Sequence, residues 1–367
     1  MTQMAGHLRV HVRQLCCLGL SGEQLMPPLL KAVRELVGAE SAAFFWVDAQ
    51  GEMTKLYSER TLPEAVMKVY FERYYDTGES AFRQAFNERA QQPDAVMTVS
   101  PSAAAERSPY YNEIMQQLEA HHVLYGIVRE QGQALGQLSL YRPKSARAFS
   151  GVQRAELTSI MRYIGHGVAQ RTRQALAADE FLDAADDAVF LMGADARVTR
   201  LSVPAQKLLS LATLGQIGPD VVTAGIAEAA RPVLLGLVLQ LRSALAGSDV
   251  APPMLVVDNT WGRFVLRAYA VSDAPLEGDA PIAVRIHRQE PMLLRFVGAL
   301  NGLGLSPQQR EIAALLARGA SNQEMAQVLG LSVNTIAYHI KQLFLRLDTH
   351  DRQQMIGKVL GKGSDPG

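Results

Sequence analysis

The stretch at residues 305–356, LSPQQREIAALLARGASNQEMAQVLGLSVNTIAYHIKQLFLRLDTHDRQQMI, constrains the chain most, because three helix starts follow one another closely. Ser306 precedes Pro307, and Gln309 follows three residues after the serine. These are an N-cap, a favoured first helical residue and a capping-box partner. Ile312, Leu315 and Leu316 recur at helical spacing, and Gly319 stops the run. Ser321 with Glu324 makes a second capping box, and the short helix after it buries Met325, Ala326 and Leu329 and ends at Gly330. Ser332 caps a third helix that runs to about Leu347.

Two short helices joined by Gly330-Leu331-Ser332 predict a helix-turn-helix. At roughly 100° per residue, Ile336, Ile340, Leu343 and Leu347 fall on one stripe of the third helix. Asn334, Ala337, Tyr338 and Lys341 fall opposite. An apolar stripe docks such a helix on its own domain, and a polar outer face is what a DNA major groove accepts. A small helical bundle with a solvated outer face gives the same pattern. Charge favours the first reading. The whole chain is neutral, but Arg295, Arg310, Arg318, Lys341, Arg346, Arg352, Lys358 and Lys362 outweigh Glu311, Glu324, Asp348 and Asp351 in this region.

The segment resembles the C-terminal domain of LuxR-type (FixJ/NarL-like) regulators. The matches are Leu305-Ser306, Glu311, Gly319, Ser321-Asn322-Gln323-Glu324, Ala326, Leu329, Ser332, Thr335-Ile336, His339, Leu347 and Arg352, in order and without gaps. The resemblance covers about the last sixth of the chain and implies a four-helix, all-α domain that binds double-stranded DNA, usually as a homodimer. It implies DNA contacts from Ser321, Asn322, Ser332, Asn334, Thr335, Ala337, Tyr338, His339, Lys341 and Arg346, with RNA polymerase as a further partner. Three departures stand out. Gln308-Gln309 replaces Arg-Glu, Ala337 replaces a lysine, and Asp348-Thr349 replaces Gly-Val before the last helix.

At 367 residues and 48% hydrophobic content, the chain has material for two or three domains with proper cores. Cys16 and Cys17, its two cysteines, are adjacent, which excludes a disulfide framework and suits a reducing cytoplasm. Both read as buried helix residues. No signal peptide is visible, and the most apolar run, 233–239, is far shorter than the roughly 20 residues that span a bilayer. A cytoplasmic protein without membrane contact is expected.

Ahead of residue 290 the order changes. Helices are expected at 7–20 and 21–38, the second bent or delayed at Pro27-Pro28, then paired strands at 42–47 and 53–58. A helix at 63–76, an irregular crossing at 91–109, a helix at 110–120, strands at 123–128 and 136–141, and a long helix from Ser150 to 178 follow. This is the order of an α+β domain on a central antiparallel sheet, and it resembles a GAF domain. Asp179, Glu180, Asp183, Asp186 and Asp187 read as a solvated helix end. Strands at 188–192 and 197–201, helices at 205–211 and 221–246 (interrupted at Pro232), and strands at 253–258, 263–271 and 281–288 resemble a PAS fold. The expected layout is thus a GAF-like region at 1–178, a PAS-like region at 179–290, a connecting helix at 291–302 and the helix-turn-helix domain at 303–367.

No catalytic constellation is present: no P-loop, no Gly-x-Gly-x-x-Gly after a strand, no His-Glu-x-x-His, no Gly-x-Ser-x-Gly. His121-His122 would point to opposite faces of a strand and cannot share a metal. No enzyme activity and no cofactor are expected. GAF-like domains often hold a small-molecule effector between sheet and helices. Phe44, Trp46, Tyr57, Tyr70, Tyr125 and Tyr141 are available to such a pocket or to plain core. Two function classes remain: a one-component transcription regulator, or a signalling protein whose helical tail contacts proteins and no promoter.

Overall fold

The computed structural model describes residues 2–61, 63–75, 82–92, 96–170, 181–214, 225–247, 252–272, 276 and 280–362. Helices α1 (Thr2–Cys16) and α2 (Gly22–Val37) open the chain. β1 (Ser41–Val47) pairs antiparallel with β2 (Met53–Ser58) and, on its other side, with β5 (Gln133–Arg142). β5 pairs with β4 (His122–Glu130), and β4 with β3 (Val96–Val99), so the sheet order is β2-β1-β5-β4-β3.

The apolar run of β1 reflects burial on both faces. Phe44, Leu124, Leu138 and Leu140 line one face and are fully or almost fully buried. Helix α5 (Gly151–Ala169) lies on that side, and a Cβ at Gly126 would stand 2.8 Å from the Met161 methyl. The strand therefore has no side chain at the closest approach of the helix. On the opposite face Phe45 and Ile127 pack with Phe71, Tyr75, Phe82 and Phe86, which come from or just beyond α3 (Glu64–Arg73) and α4 (Phe82–Ala90).

A second sheet repeats the arrangement. β6 (Phe181–Met192), β7 (Val198–Arg200), β8 (Met254–Asn259), β9 (Gly262–Ala270) and β10 (Ile282–Pro291) lie in the order β7-β6-β10-β9-β8. Counted within each sheet, both orders are second, first, fifth, fourth, third. Helices α6 (Val203–Thr213) and α7 (Ile226–Leu245) connect the second and third strands of this sheet. The expected α+β class with antiparallel sheets is present twice, and an all-α region follows. That region comprises α8 (Met292–Leu300), a 3-10 turn at Asn301–Leu303, α9 (Pro307–Ala317), α10 (Asn322–Leu329), α11 (Val333–Leu347) and α12 (Arg352–Lys362).

Compact units do not follow chain order. One gathers residues 1–36, 162–182 and 290–367, and the other holds 37–161 and 183–289. Within the first, α1 packs against α8 and α9. Arg13 pairs with Glu311, and the Arg318 guanidinium donates to the Cys17 carbonyl at 2.7 Å.

Several local expectations are corrected. The crossing at 91–109 contains the edge strand β3, four residues that hydrogen-bond to β4. Pro232 lies inside α7 without ending it; the helix loses one backbone donor there and continues. Asp183, Asp186 and Asp187 are not a helix end. They stand on β6 and face β10, where Asp187 pairs with Arg285 at 2.6 Å, Asp186 with Arg288 at 3.5 Å, and Asp183 accepts from Gln289 at 2.8 Å. Opposite charges across a strand pair outweigh the helical look of the local sequence. Asp179 and Glu180, and the expected end of the long helix at 171–178, lie outside the described residues. Cys16 is buried, but Cys17 falls beyond the end of α1 and is exposed.

Candidate nucleic-acid interface

The helix-turn-helix is assembled by its caps. Ser306 Oγ accepts from Gln309 N while the Gln309 side chain returns to Ser306 N, closing the first box. Ser321 and Glu324 close the second, with the carboxylate accepting from Ser321 N at 2.7 Å. That bond holds the Glu324 carboxyl below the usual range. Gly330 ends α10 in the left-handed region at φ 66°, where a side chain would be strained. Ser332 Oγ then accepts from Thr335 N at 3.1 Å and lies 2.8 Å from the Thr335 hydroxyl. Ile312, Met325 and Ile336, all fully buried, form the core around Ala326 with Leu315, Leu329 and Ile340 beside them. Arg352 donates to the Ala317 carbonyl at 2.6 Å and so caps the end of α9.

These bonds sort the ten expected DNA-contact residues. Asn334, Ala337, Tyr338 and Lys341 are exposed and share the outer stripe of α11, opposite buried Ile336, Leu343 and Leu347. Tyr338 is 60% exposed, so most of its ring is open to contact. Asn322 is exposed at the start of α10. The hydroxyls of Ser321, Ser332 and Thr335 are engaged in the caps, though all three sit at helix N-termini, where backbone N–H groups favour phosphate. His339 is half-buried on the flank, edge-on to Tyr338 with ring centroids 5.7 Å apart. Arg346 reaches the other way and donates to the Gly304 carbonyl at 2.8 Å. Leu345, 65% exposed on the outer stripe, was not among the residues singled out from sequence. Its helical position, one turn beyond Lys341, is the signal that would have found it.

Loss of the third cap is measurable. Ser332→Ala should cost about 1 kcal/mol and should appear as faster amide exchange in the first turn of α11.

This geometry defines a helix-turn-helix domain whose third helix, α11, has an exposed outer face. Residues 303–359 match the model of bacterial regulatory proteins of the luxR family (GerE), so the C-terminal domain is a LuxR-family helix-turn-helix. YhjB of Escherichia coli (strain K12), described as a candidate HTH-type transcriptional regulator, is 42% identical over 50 residues. The match takes in 14% of this chain and spans a quarter (25%) of that relative's length. Among solved structures, a GAF domain from Synechocystis sp. PCC6803 in its photoproduct state is 15% identical at a TM-score of 0.30, covering 38% of this chain and 89% of its own. Escherichia coli SdiA is 10% identical at a TM-score of 0.25, covering 91% of each chain. The bacteriophytochrome RpBphP3 of R. palustris is 10% identical at 0.31, covering 79% of this chain and 64% of its own.

A second feature lies over the first sheet. A cavity of about 360 Å³ opens between the face of β1, β4 and β5 that carries Phe45 and the elements α3, α4 and α6. Of the six aromatics weighed from sequence, Tyr57, Tyr70, Tyr125 and Tyr141 line it. Phe44 and Trp46 do not: the pleat turns them to the other face and presents Phe45 instead. Sequence reasoning missed its polar floor. Gln137 and Ser139, two residues apart on β5 and buried, are joined by a 2.9 Å hydrogen bond. Burial pushes the Tyr110 hydroxyl up to about 12 and raises that of Tyr141 too, so both stay protonated.

Proposed function

We propose that this chain is a one-component transcription regulator. It binds promoter DNA through α11 as a homodimer, under control of the α+β regions ahead of residue 290. The carrying observation is the outer stripe of α11: Asn334, Tyr338 and Lys341 exposed on a doubly capped helix-turn-helix that matches the luxR family model. Lys341 has no carboxylate in salt-bridge distance among the described residues, so its charge is available to a phosphate or a guanine edge. RNA polymerase is the natural downstream partner, the cavity over the first sheet is the natural effector site, and no catalytic role is assigned. Among the described residues no helix is long and apolar enough to cross a membrane, in keeping with action on DNA in the cytoplasm.

Exposed Leu345 and the bare methyl of Ala337 favour a second reading, in which this face contacts a protein and no promoter. Selection of bound fragments from a genomic library by the full chain separates the two. An enriched sequence motif supports the regulator, and random recovery supports the protein-contact reading. Dimerisation is tested independently. Light scattering at micromolar concentration should give twice the 40.0 kDa chain mass once the mass of the bound DNA is subtracted. A strict monomer with and without DNA would remove the homodimer from the proposal.

A further inference from the structure

We propose that the cavity over the first sheet takes a small aromatic carboxylate, its carboxylate paired with Arg89 and its ring system packed among Phe45, Tyr70 and Phe71. The proposal deepens the reading of this region as the sensory part of a regulator and rests on it.

Size and lining set the first half of the argument. A volume of about 360 Å³ is at the small end of ligand pockets. The walls are mainly apolar and rich in rings, which suits a flat apolar body that stacks edge-to-face. Charge sets the second half. Three cations line this mainly apolar space: Arg60, which is already paired with Glu119 at 2.8 Å, and two others, Arg89 from α4 and Lys207 from α6. Among the described residues neither has a carboxylate within salt-bridge distance. A neutral occupant would displace water from these cations and return nothing, whereas an anion replaces the lost hydration with a charge-assisted hydrogen bond.

Arg89 is the better anion receptor. One of its nitrogens donates to Gln137 Oε1 at 3.1 Å, and Gln137 is in turn fixed by Ser139. Its guanidinium lies 4.4 Å from the centre of the Tyr125 ring. The group is thus held in place before a ligand arrives, with the remaining nitrogens of a planar fork that matches a carboxylate. Lys207 is engaged differently. Its ammonium donates to the Ser58 carbonyl at 2.8 Å and sits 4.4 Å from the centre of the Tyr57 ring. Burial lowers its pKa to about 8, so its charge is less securely held than that of an arginine. Lys207 stands over β2 and Arg89 over β5, two strands away, or about 10 Å. A single small carboxylate therefore engages one of them, and its far end meets the other.

Calorimetry on the full chain tests this with 2-naphthylacetate and the isosteric 2-naphthylacetamide, in which a neutral NH2 donor replaces one charged acceptor oxygen. The acid should bind at least about tenfold more tightly than the amide. Arg89→Gln should bring the two to within about threefold of each other, while Lys207→Met should leave the preference in place. An amide that binds as well as the acid, or no binding of either at millimolar concentration, overturns the proposal on the unmodified chain, whether or not the variants fold. Preference kept in Arg89→Gln, or lost in Lys207→Met alone, overturns the assignment to Arg89. DNA binding by the same preparations is measured separately. Its loss with ligand preference intact would count against the regulator reading, and its retention without ligand preference against the carboxylate only.

Discussion

Ile336→Ala should lower the stability of the helix-turn-helix by about 2–5 kcal/mol, the cost of a large-to-small change in a core that cannot collapse around the gap. Ile336 is fully buried and packs with Ile312, Met325 and Ala326, so one side chain on α11 holds α9 and α10 as well. A marginal domain has roughly 5–15 kcal/mol in all, and the change consumes a large part of it. The effect should be local. The chain's two tryptophans, Trp46 and Trp261, both lie in the other compact unit. Their fluorescence should be unchanged while amide protection across residues 305–356 collapses. Ala326→Leu attacks the same core from the opposite direction. It adds volume where Ala326 is 8% exposed between the helices, at a cost of about 1–3 kcal/mol. Were Ile336→Ala to keep full protection, the core described around it would be wrong.

Lys341→Ala should have the largest effect on DNA without touching the fold. Lys341 is exposed, and the removal of its side chain leaves the apolar stripe intact. If the ammonium reads guanine N7 and O6, the loss should be about 1–3 kcal/mol and preference should relax at one base pair. If it holds a phosphate, binding should weaken on every sequence and the salt slope should drop by about one per protomer. Ala337 offers only a methyl to the outer face of α11, so specificity should concentrate on Tyr338 and Lys341. Tyr338→Ala, with its ring 60% exposed, should change preference more than salt dependence.

What could be read from sequence was what is fixed locally. Helices α9, α10 and α11 are each begun by a serine and a partner three residues on, and Gly330 stops α10. These signals need no knowledge of the rest of the chain. Apart from the first half of β6, the long strands of both sheets were visible as apolar or alternating runs. Three features were not legible because distant partners decide them. β3 is four residues that become a strand only by pairing with β4. The aspartates of β6 look helical until Arg285 and Arg288 stand opposite. The run Phe44-Phe45-Trp46 is apolar at every position, so nothing in it says which residues face the cavity. Gln137 and Ser139 alternate with Leu138 and Leu140, a pattern that reads as a solvent face and is in fact the floor of a cavity. Helix α4, which brings Arg89 to that floor, had no assignment from sequence at all.

On the proposed function, α11 is the DNA-reading element. The most direct test of that role is a titration of the full chain against a fragment recovered by genomic selection, followed by anisotropy at several salt concentrations. The unmodified chain is compared with the Tyr338→Ala, Lys341→Ala double variant. Amide exchange on the same samples establishes that the domain is folded. The double variant should lose sequence preference, affinity or salt slope while its protection pattern is unchanged. A correctly folded double variant whose affinity, preference and salt slope all equal those of the unmodified chain would contradict this role of α11 and place DNA recognition on another surface.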